Sequence, residues 1–118
     1  MRIIVAGWLR FDGGDVCAQV VRGGAQLIAE SRSEQGCIAY NWSVDPLEDG
    51  LMHVYEEWES ERDLLLHFKH SSYLEMRRHL ESFRLSAFDI KLYSVAGTEP
   101  VYTETGEPRS TLFGVSLD

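Results

Sequence analysis

Leu51–Leu80, LMHVYEEWESERDLLLHFKHSSYLEMRRHL, carries the reading that decides the fold. Its first eight residues alternate, with Met52, Val54, Glu56 and Trp58 on one face and Leu51, His53, Tyr55 and Glu57 on the other, as a β-strand requires. At Ser60 the period changes to that of a helix. The Ser60 hydroxyl is suited to accept an amide N–H of the first turn, and Asp63 stands three residues on, a capping box in its aspartate form. Leu64, His67 and Phe68 then share a stripe. A second box, Ser72 with Glu75, restarts the helix as Tyr73, Met76, Leu80 and Phe83. Two short helices, or one kinked helix, therefore follow the strand. Trp58, His67 and Tyr73 are expected to line one cavity, against the plainer reading in which Trp58 is core and His67 is hydrogen-bonded filling. The acidic run Glu56, Glu57, Glu59 and Glu61 reads as a solvated rim.

Upstream, Arg2–Phe11 reads as a strand apolar on both sides, Ile3, Val5, Gly7, Leu9 and Phe11 opposite Ile4, Ala6 and Trp8. Asp12–Asp15 is a turn in which Asp12 caps a helix reaching about Arg32. Gly23 and Gly24 inside that helix cost on the order of 1 kcal/mol each, which implies close packing on the sheet. Gly36 ends the helical region as a left-handed cap. Cys37–Asp45 returns as a strand with Ile38, Tyr40, Trp42 and Val44 on one face, and the loop from Pro46 to Gly50 makes a hairpin into Leu51–Trp58. Asp89–Ala96 alternates again. Residues 97–118 have too little apolar content to fold alone and read as an arm with two short β-prone pieces.

The order is β-α-β-β-α-β, so the expected class is α+β, ferredoxin-like, with four antiparallel strands carrying the helices on one face. The other face would leave Trp8, with Ile4 and Ala6, or the set opposite them, in water. A homodimer is the economical cover.

Length sets one domain. Nineteen acidic residues against eleven basic give a formal charge of −8, which repels phosphate backbones and argues against nucleic acid as a partner. No apolar stretch is long enough to cross a membrane, and the first residues lack the layout of a signal peptide, so a cytoplasmic protein is expected. Cys17 and Cys37 form no CxxC and have no paired histidines at ligand spacing, so both read as small buried hydrophobes. His67, His70 and His79 share a helical region without a third ligand clearly on the same face, and no metal site is expected.

Three pieces in order, IIVAGWLR, SRSEQGCIAYNWSVDP and VYEEWESERDLLLHFKHSSYLEMR, make residues 2–96 resemble the antibiotic biosynthesis monooxygenase family of dimeric α+β barrels. The more telling parts are Glu34-Gln35-Gly36-Cys37 running into Tyr40, and Glu56-Glu57-Trp58-Glu59-Ser60 followed by His67. The resemblance implies a homodimer in which two four-stranded antiparallel sheets close a barrel. Each subunit would hold a cavity between sheet and helices, and the arm at 97–118 would be free to pack on the partner subunit. Family members include cofactor-independent oxygenases of polyphenolic or quinol substrates, haem-degrading enzymes and a signal-molecule isomerase. Haem-degrading relatives place an asparagine, a tryptophan and an iron-ligating histidine where this chain has Gly7, His67 and Arg77, so no haem and no other cofactor is expected.

The leading function implied is a monooxygenase that deprotonates a small aromatic, hydroquinone-like or polyketide-like, which then reacts directly with O₂. His67 is expected to be the base or proton shuttle, Trp58 and Tyr73 the walls, and Trp42 and Tyr40 further substrate-binding lining. Two alternatives stay open. One is an isomerase or other proton-transfer enzyme on a small hydroxy-carbonyl compound, with His53 or Glu56 as second group; the other is a non-catalytic small-molecule-binding module. Arg77 and Arg78 are candidates to grip an anion, although arginines late in a helix are usually solvated.

Overall fold

Strand β1, Ile3–Phe11, sends Ile3, Val5, Leu9 and Phe11 into the core and leaves Ile4, Ala6 and Trp8 half-buried on the opposite side. The structure is a computed structural model and describes residues 1–13 and 15–117. After β1 come the helices α1 (Val16–Gly23) and α2 (Ala25–Arg32) and the hairpin of β2 (Cys37–Val44) and β3 (Leu51–Trp58). Helices α3 (Glu61–His67) and α4 (Ser71–Glu81) precede β4 (Leu85–Ser94), and the tail holds β5 (Thr111–Leu112) and β6 (Val115–Ser116). The four long strands form one antiparallel sheet in the order β2-β3-β1-β4. This is the expected α+β ferredoxin-like fold.

The core lies between the helices and the sheet face made by Val5, Leu9, Met52, Val54 and Trp58, against which Cys17, Val20, Leu64, Met76 and Leu80 pack. Met52 and Trp58 are fully buried, and each such side chain contributes roughly 1.5–3 kcal/mol of transfer free energy. Cys17 belongs to this core and Cys37 packs against it.

Helix entry is as expected at α3 and different elsewhere. Ser60 Oγ accepts the Asp63 amide at 3.1 Å and donates to Asp63 Oδ2 at 2.9 Å. At α4 the cap is His70, not Ser72: the His70 Nδ1 accepts the Ser72 amide at 3.3 Å, and the Ser72 side chain turns inward to another partner. Nor does Asp12 cap α1. That position falls to Asp15, which makes no side-chain cap bond, while the Asp12 amide donates to the Arg84 carbonyl oxygen. The expected turn over residues 12–15 includes Gly14, which lies outside the described residues.

The single helix expected from Val16 to Arg32 is two, divided at Gly24. The tight packing that explains the two glycines comes from α4 rather than from the sheet. A Cβ on Gly23 would press on the His79 ring, and one on Gly24 would press on Met76. His79 then fastens the pair, its Nε2–H donating to the Val20 carbonyl oxygen at 2.8 Å. Gly36 does take the left-handed cap conformation, φ 82°. A Cβ there would overlap the Asp63 carboxyl, the group that closes the α3 cap. Strand β4 starts at Leu85, four residues earlier than its alternation suggests, because Leu85 pairs with Phe11 and extends the β1 ladder past a bulge.

Residues 97–117 are exposed apart from half-buried Arg109 and contribute nothing to the core. They are nonetheless internally bonded, with Thr103 N–H donating to the Glu107 carbonyl at 2.8 Å and β5–β6 turning through Phe113 and Gly114, both at positive φ, as a two-residue hairpin turn needs. The radius of gyration is 16.7 Å, well above the about 13.5 Å of a close-packed chain of this length, because the arm projects from the domain.

Candidate functional site

A cavity of about 450 Å³ lies between the sheet and α4. Its floor comes from the helix-facing side of every strand: Val5 and Leu9 of β1, Tyr40 and Trp42 of β2, Val54 and Glu56 of β3, and Ile90 and Leu92 of β4. Tyr73, Met76 and Leu80 of α4, with Phe68, form the roof, and Arg77 and Glu81 stand on the lining as an ion pair at 3.1 Å. Gly7, opposite Val54 and Ile90, allows this floor to close. A side chain there would fall on the Asp89 carbonyl oxygen and the Ile90 backbone.

Glu56 is the buried carboxyl on this wall. It pairs with Val5 on one side and Tyr40 on the other and is 7% exposed, so it is not part of a solvated rim. Burial pushes its pKa from an ordinary 4.5 up to about 7, Trp58 opposes the shift through a hydrogen bond, and the negative charge of Glu34 adds to it. The bond from Trp58 runs from Nε1–H to Glu56 Oε1 at 3.0 Å. Sequence reasoning weighed Glu56 only as a second group in the isomerase reading and otherwise placed it on a solvated rim, although the signal for a larger role was present. It shares strand parity with Met52, Val54 and Trp58, and a carboxylate on the apolar face of a strand has to be held for a reason.

His67 lies one layer behind. It is 1% exposed and off the cavity wall, so the expectation that it lines the cavity is not met. Its Nδ1–H donates to both Glu34 oxygens at 3.0 and 3.1 Å. Burial lowers its pKa, and the bond to Glu34 pulls the other way. The ring lies tilted on Trp58, 4.6 Å between centroids, with Tyr40 at 5.7 Å and Tyr73 at 5.4 Å. Four of the five residues picked from sequence thus meet with His67 at their hub, and Trp42 joins through Tyr40 at 6.3 Å. Tyr40, Trp42 and Tyr73 reach the cavity; Trp58, fully buried, does not.

Glu34 also accepts Ser72 Oγ–H at 2.8 Å, and Ser31 Oγ–H reaches Ser72 Oγ at 3.4 Å. A serine, a histidine and a carboxylate are therefore together in the wrong order for nucleophilic catalysis. Ser72 and His67 both end on Glu34, whereas a relay needs the imidazole between hydroxyl and acid, and Ser72 is fully buried. The network instead holds His67, and through it Trp58, in place.

His53, weighed as a second proton-transfer group, sits on the other face of the sheet and is held by Asp45 Oδ1 at 2.8 Å. His70 and His79 are occupied in capping α4 and tying it to α1. Among the described residues no group of three or more metal-ligating side chains comes together, and no helix is long and apolar enough to cross a membrane. The residues do not fit a haem centre: Gly7 has no side chain, Arg77 is paired with Glu81, and the His67 ring is enclosed with Nδ1–H on Glu34.

Solved structures share this fold at low identity. A candidate antibiotic biosynthesis monooxygenase from Deinococcus radiodurans superposes with a TM-score of 0.75 at 18% identity, covering 86% of this chain and 99% of that one. Another from Nitrosomonas europaea gives 0.71 at 13% identity over 80% of this chain and 90% of that one. By sequence, an uncharacterized protein from Synechocystis sp. is 32% identical over 73 residues, 62% of this chain and 50% of that protein. The chain thus matches about half the length of that curated relative. The family model for antibiotic biosynthesis monooxygenases matches residues 9–79, more than half of the chain, and the protein belongs to that family.

Proposed function

We propose that the protein is a cytoplasmic, cofactor-independent monooxygenase of a small electron-rich aromatic, with Glu56 as the proton acceptor. The observation that carries this reading is a buried carboxyl, poised near neutrality, on the wall of an aromatic and apolar cavity. Triplet O₂ reacts slowly with neutral organic molecules, whereas an aromatic anion passes it an electron readily. A base and a dry cavity are then the main requirements. On an anthrone-like substrate, Glu56 takes a proton to give the anion, and the anion transfers one electron to O₂. The two radicals join as a peroxide, which loses water to leave a ketone. One oxygen atom enters the product and the other leaves as water, with the electrons drawn from the substrate's two C–H bonds.

In this reading Tyr40, Trp42 and Tyr73 bind the ring, and His67 is a positioning residue that fixes Trp58, whose N–H orients Glu56. A proton-transfer isomerase is the second reading, favoured by the same carboxyl, since a group with a pKa near 7 returns a proton as readily as it takes one. Oxygen uptake over a panel of anthrones and hydroquinones, with no added cofactor, decides between them. The oxygenase consumes one O₂ for each anthrone converted and releases no peroxide. Turnover of a hydroxy-carbonyl compound without oxygen uptake supports the isomerase, and tight binding without turnover a binding module.

We propose also that two copies join through the uncovered sheet face, where Ile4, Ala6, Trp8, Tyr55 and Tyr93 lie together by register, with the exposed arm packing on the partner. Apolar surface left in water costs roughly 25 cal/mol per square ångström. Sedimentation at micromolar concentration is expected to give twice 13.4 kDa, and Trp8→Glu to dissociate the pair. A wild-type protein that sediments as a monomer would contradict this assembly.

A further inference from the structure

Helix α4 is capped by a side chain that can cap in only one of its two charge states. His70 Nδ1 accepts the Ser72 amide N–H at 3.3 Å, which requires a ring nitrogen without a proton. The usual capping residues, serine, threonine, asparagine and aspartate, keep an acceptor oxygen at any pH near neutrality. Histidine as a residue changes charge between about pH 5 and 8, and protonation removes the acceptor. The His70 side chain is 49% exposed, so protons from solvent reach it.

A second bond is open to the same nitrogen. Ser72 Oγ lies 3.1 Å from His70 Nδ1 and gives its own proton to Glu34 Oε2 at 2.8 Å, which leaves it an acceptor toward the ring. His70 Nδ1 thus stands within bonding distance of one donor, the Ser72 N–H, and one acceptor, the Ser72 hydroxyl oxygen, and its proton selects between them. The turn between α2 and β2 supplies Glu34, with Oε2 at 3.9 Å, the one ion-pair partner of His70 among the described residues. Helix α3 supplies His67, itself bonded to Glu34, and the chain neighbour Lys69 is exposed. From α2 comes only neutral Ser31, which bonds Ser72. Glu34 therefore draws an imidazolium here, while the positive end of α4 opposes it. What this cap holds is the roof of the cavity. Tyr73, in the first turn of α4, lines the cavity and rests on Phe68, 5.1 Å between ring centroids.

We propose that His70 is a pH-operated latch on the roof of the cavity. Neutral, it caps α4 and holds Tyr73 in place. Protonated, it turns its Nδ1–H to Ser72 Oγ, releases the Ser72 amide and frees the first turn of the helix. The rest of α4 stays anchored, because Met76 and Leu80 are in the core and His79 is bonded to the Val20 carbonyl. The loosening is therefore confined to the turn that carries Tyr73, and the roof opens more readily in acid than in alkali. Glu56 belongs to the floor, on β3, so the latch works whether or not that carboxyl is the proton acceptor.

The test compares ¹⁵N-labelled full-length protein at about pH 5 and pH 8, the span over which histidine changes charge, by NMR and without any ligand. In alkali the His70 ring is expected to carry its proton on Nε2. As the ring protonates, the Ser72 amide proton is expected to move upfield with the same midpoint, and contacts between the Tyr73 and Phe68 rings to weaken. The Leu74 amide donates to the His70 carbonyl. Hydrogen-exchange protection of Leu74 and Glu75 is expected to be about fivefold lower in acid, measured against His79 and Leu80 further along the helix, the scale of one lost cap. His70→Asn, which caps at either pH, is expected to keep the alkaline level of protection in acid. A neutral ring with its proton on Nδ1, or wild-type protection equal at the two pH values, would overturn the latch. So would a fall in protection that persists in His70→Asn, since another group, His67 or Glu34, would then drive it. Should the variant not fold, the wild-type ring and Ser72 signals still decide.

Discussion

Replacing Glu56 by glutamine is expected to lower turnover of an ionisable aromatic roughly 10² to 10⁴-fold, the scale for losing a positioned proton acceptor, without loss of the fold. Glutamine keeps the oxygen that accepts the Trp58 N–H, so the packing around it survives. The stability difference has its own pH signature. In the folded chain Glu56 titrates near 7, above its ordinary 4.5, so between those values the native state holds more protons than the unfolded state. Stability then falls as pH rises through that window, by on the order of 3 kcal/mol for this one group. Glu56→Gln lacks that loss and is expected to gain on the wild type from pH 4.5 upward, levelling off above 7. A variant that melts alongside or above the wild type at pH 8 and has lost its turnover identifies a chemical defect. Wild-type rate is expected to rise with pH through an ionisation near 7, and that limb is expected to vanish in the variant. His67→Phe separates the two candidates for the base. It removes the donor to Glu34 and is expected to cost stability, yet a residual rate that keeps its limb near 7 leaves Glu56 as the titrating base.

Glu34→Ala is expected to destabilise the fold by about 3 kcal/mol in guanidinium unfolding at pH 7. The change strips the acceptor from two donors, His67 Nδ1–H and Ser72 Oγ–H, both fully or almost fully buried. Each unsatisfied buried group costs roughly 1–3 kcal/mol. The same substitution removes a negative charge that raises the Glu56 pKa, so the rising limb of the rate profile is expected to move to lower pH. A purely structural Glu34 would lose stability without moving that limb. A stability change below about 1 kcal/mol, which is less than one stranded donor should cost, would mean that the network is not held as described.

What could be read from the sequence was local. The alternation in Leu51–Trp58 assigns both faces of β3, and Ser60 with Asp63 marks the start of α3, because each depends on residues within one strand or one turn of one another. The second box misled because Ser72 and Glu75 have the right spacing for a cap. The residue that caps α4 is a histidine, outside the usual capping set, and Ser72 is drawn away by Glu34, 38 residues distant. The break at Gly24 depends on His79 and Met76, far along the chain, and no periodicity within α1 and α2 reports them. His67 was found because a histidine on an apolar stripe stands out, but its place behind the wall follows from Glu34, 33 residues away. Glu56 was hidden by its company. Glu57 and Glu59 beside it do face outward, and composition outweighed the parity that ties Glu56 to Trp58.

The proton-acceptor role of Glu56 is tested most directly by a ¹³C titration of the glutamate side-chain carboxyls, with Glu56→Gln used to assign the signal, in the protein without substrate. One glutamate carboxyl is expected to titrate near 7, and its signal is expected to be missing from the variant. A Glu56 carboxyl that titrates at its ordinary 4.5 would mean that the group is a fully ionised, weakly basic carboxylate at neutral pH, and would contradict the account.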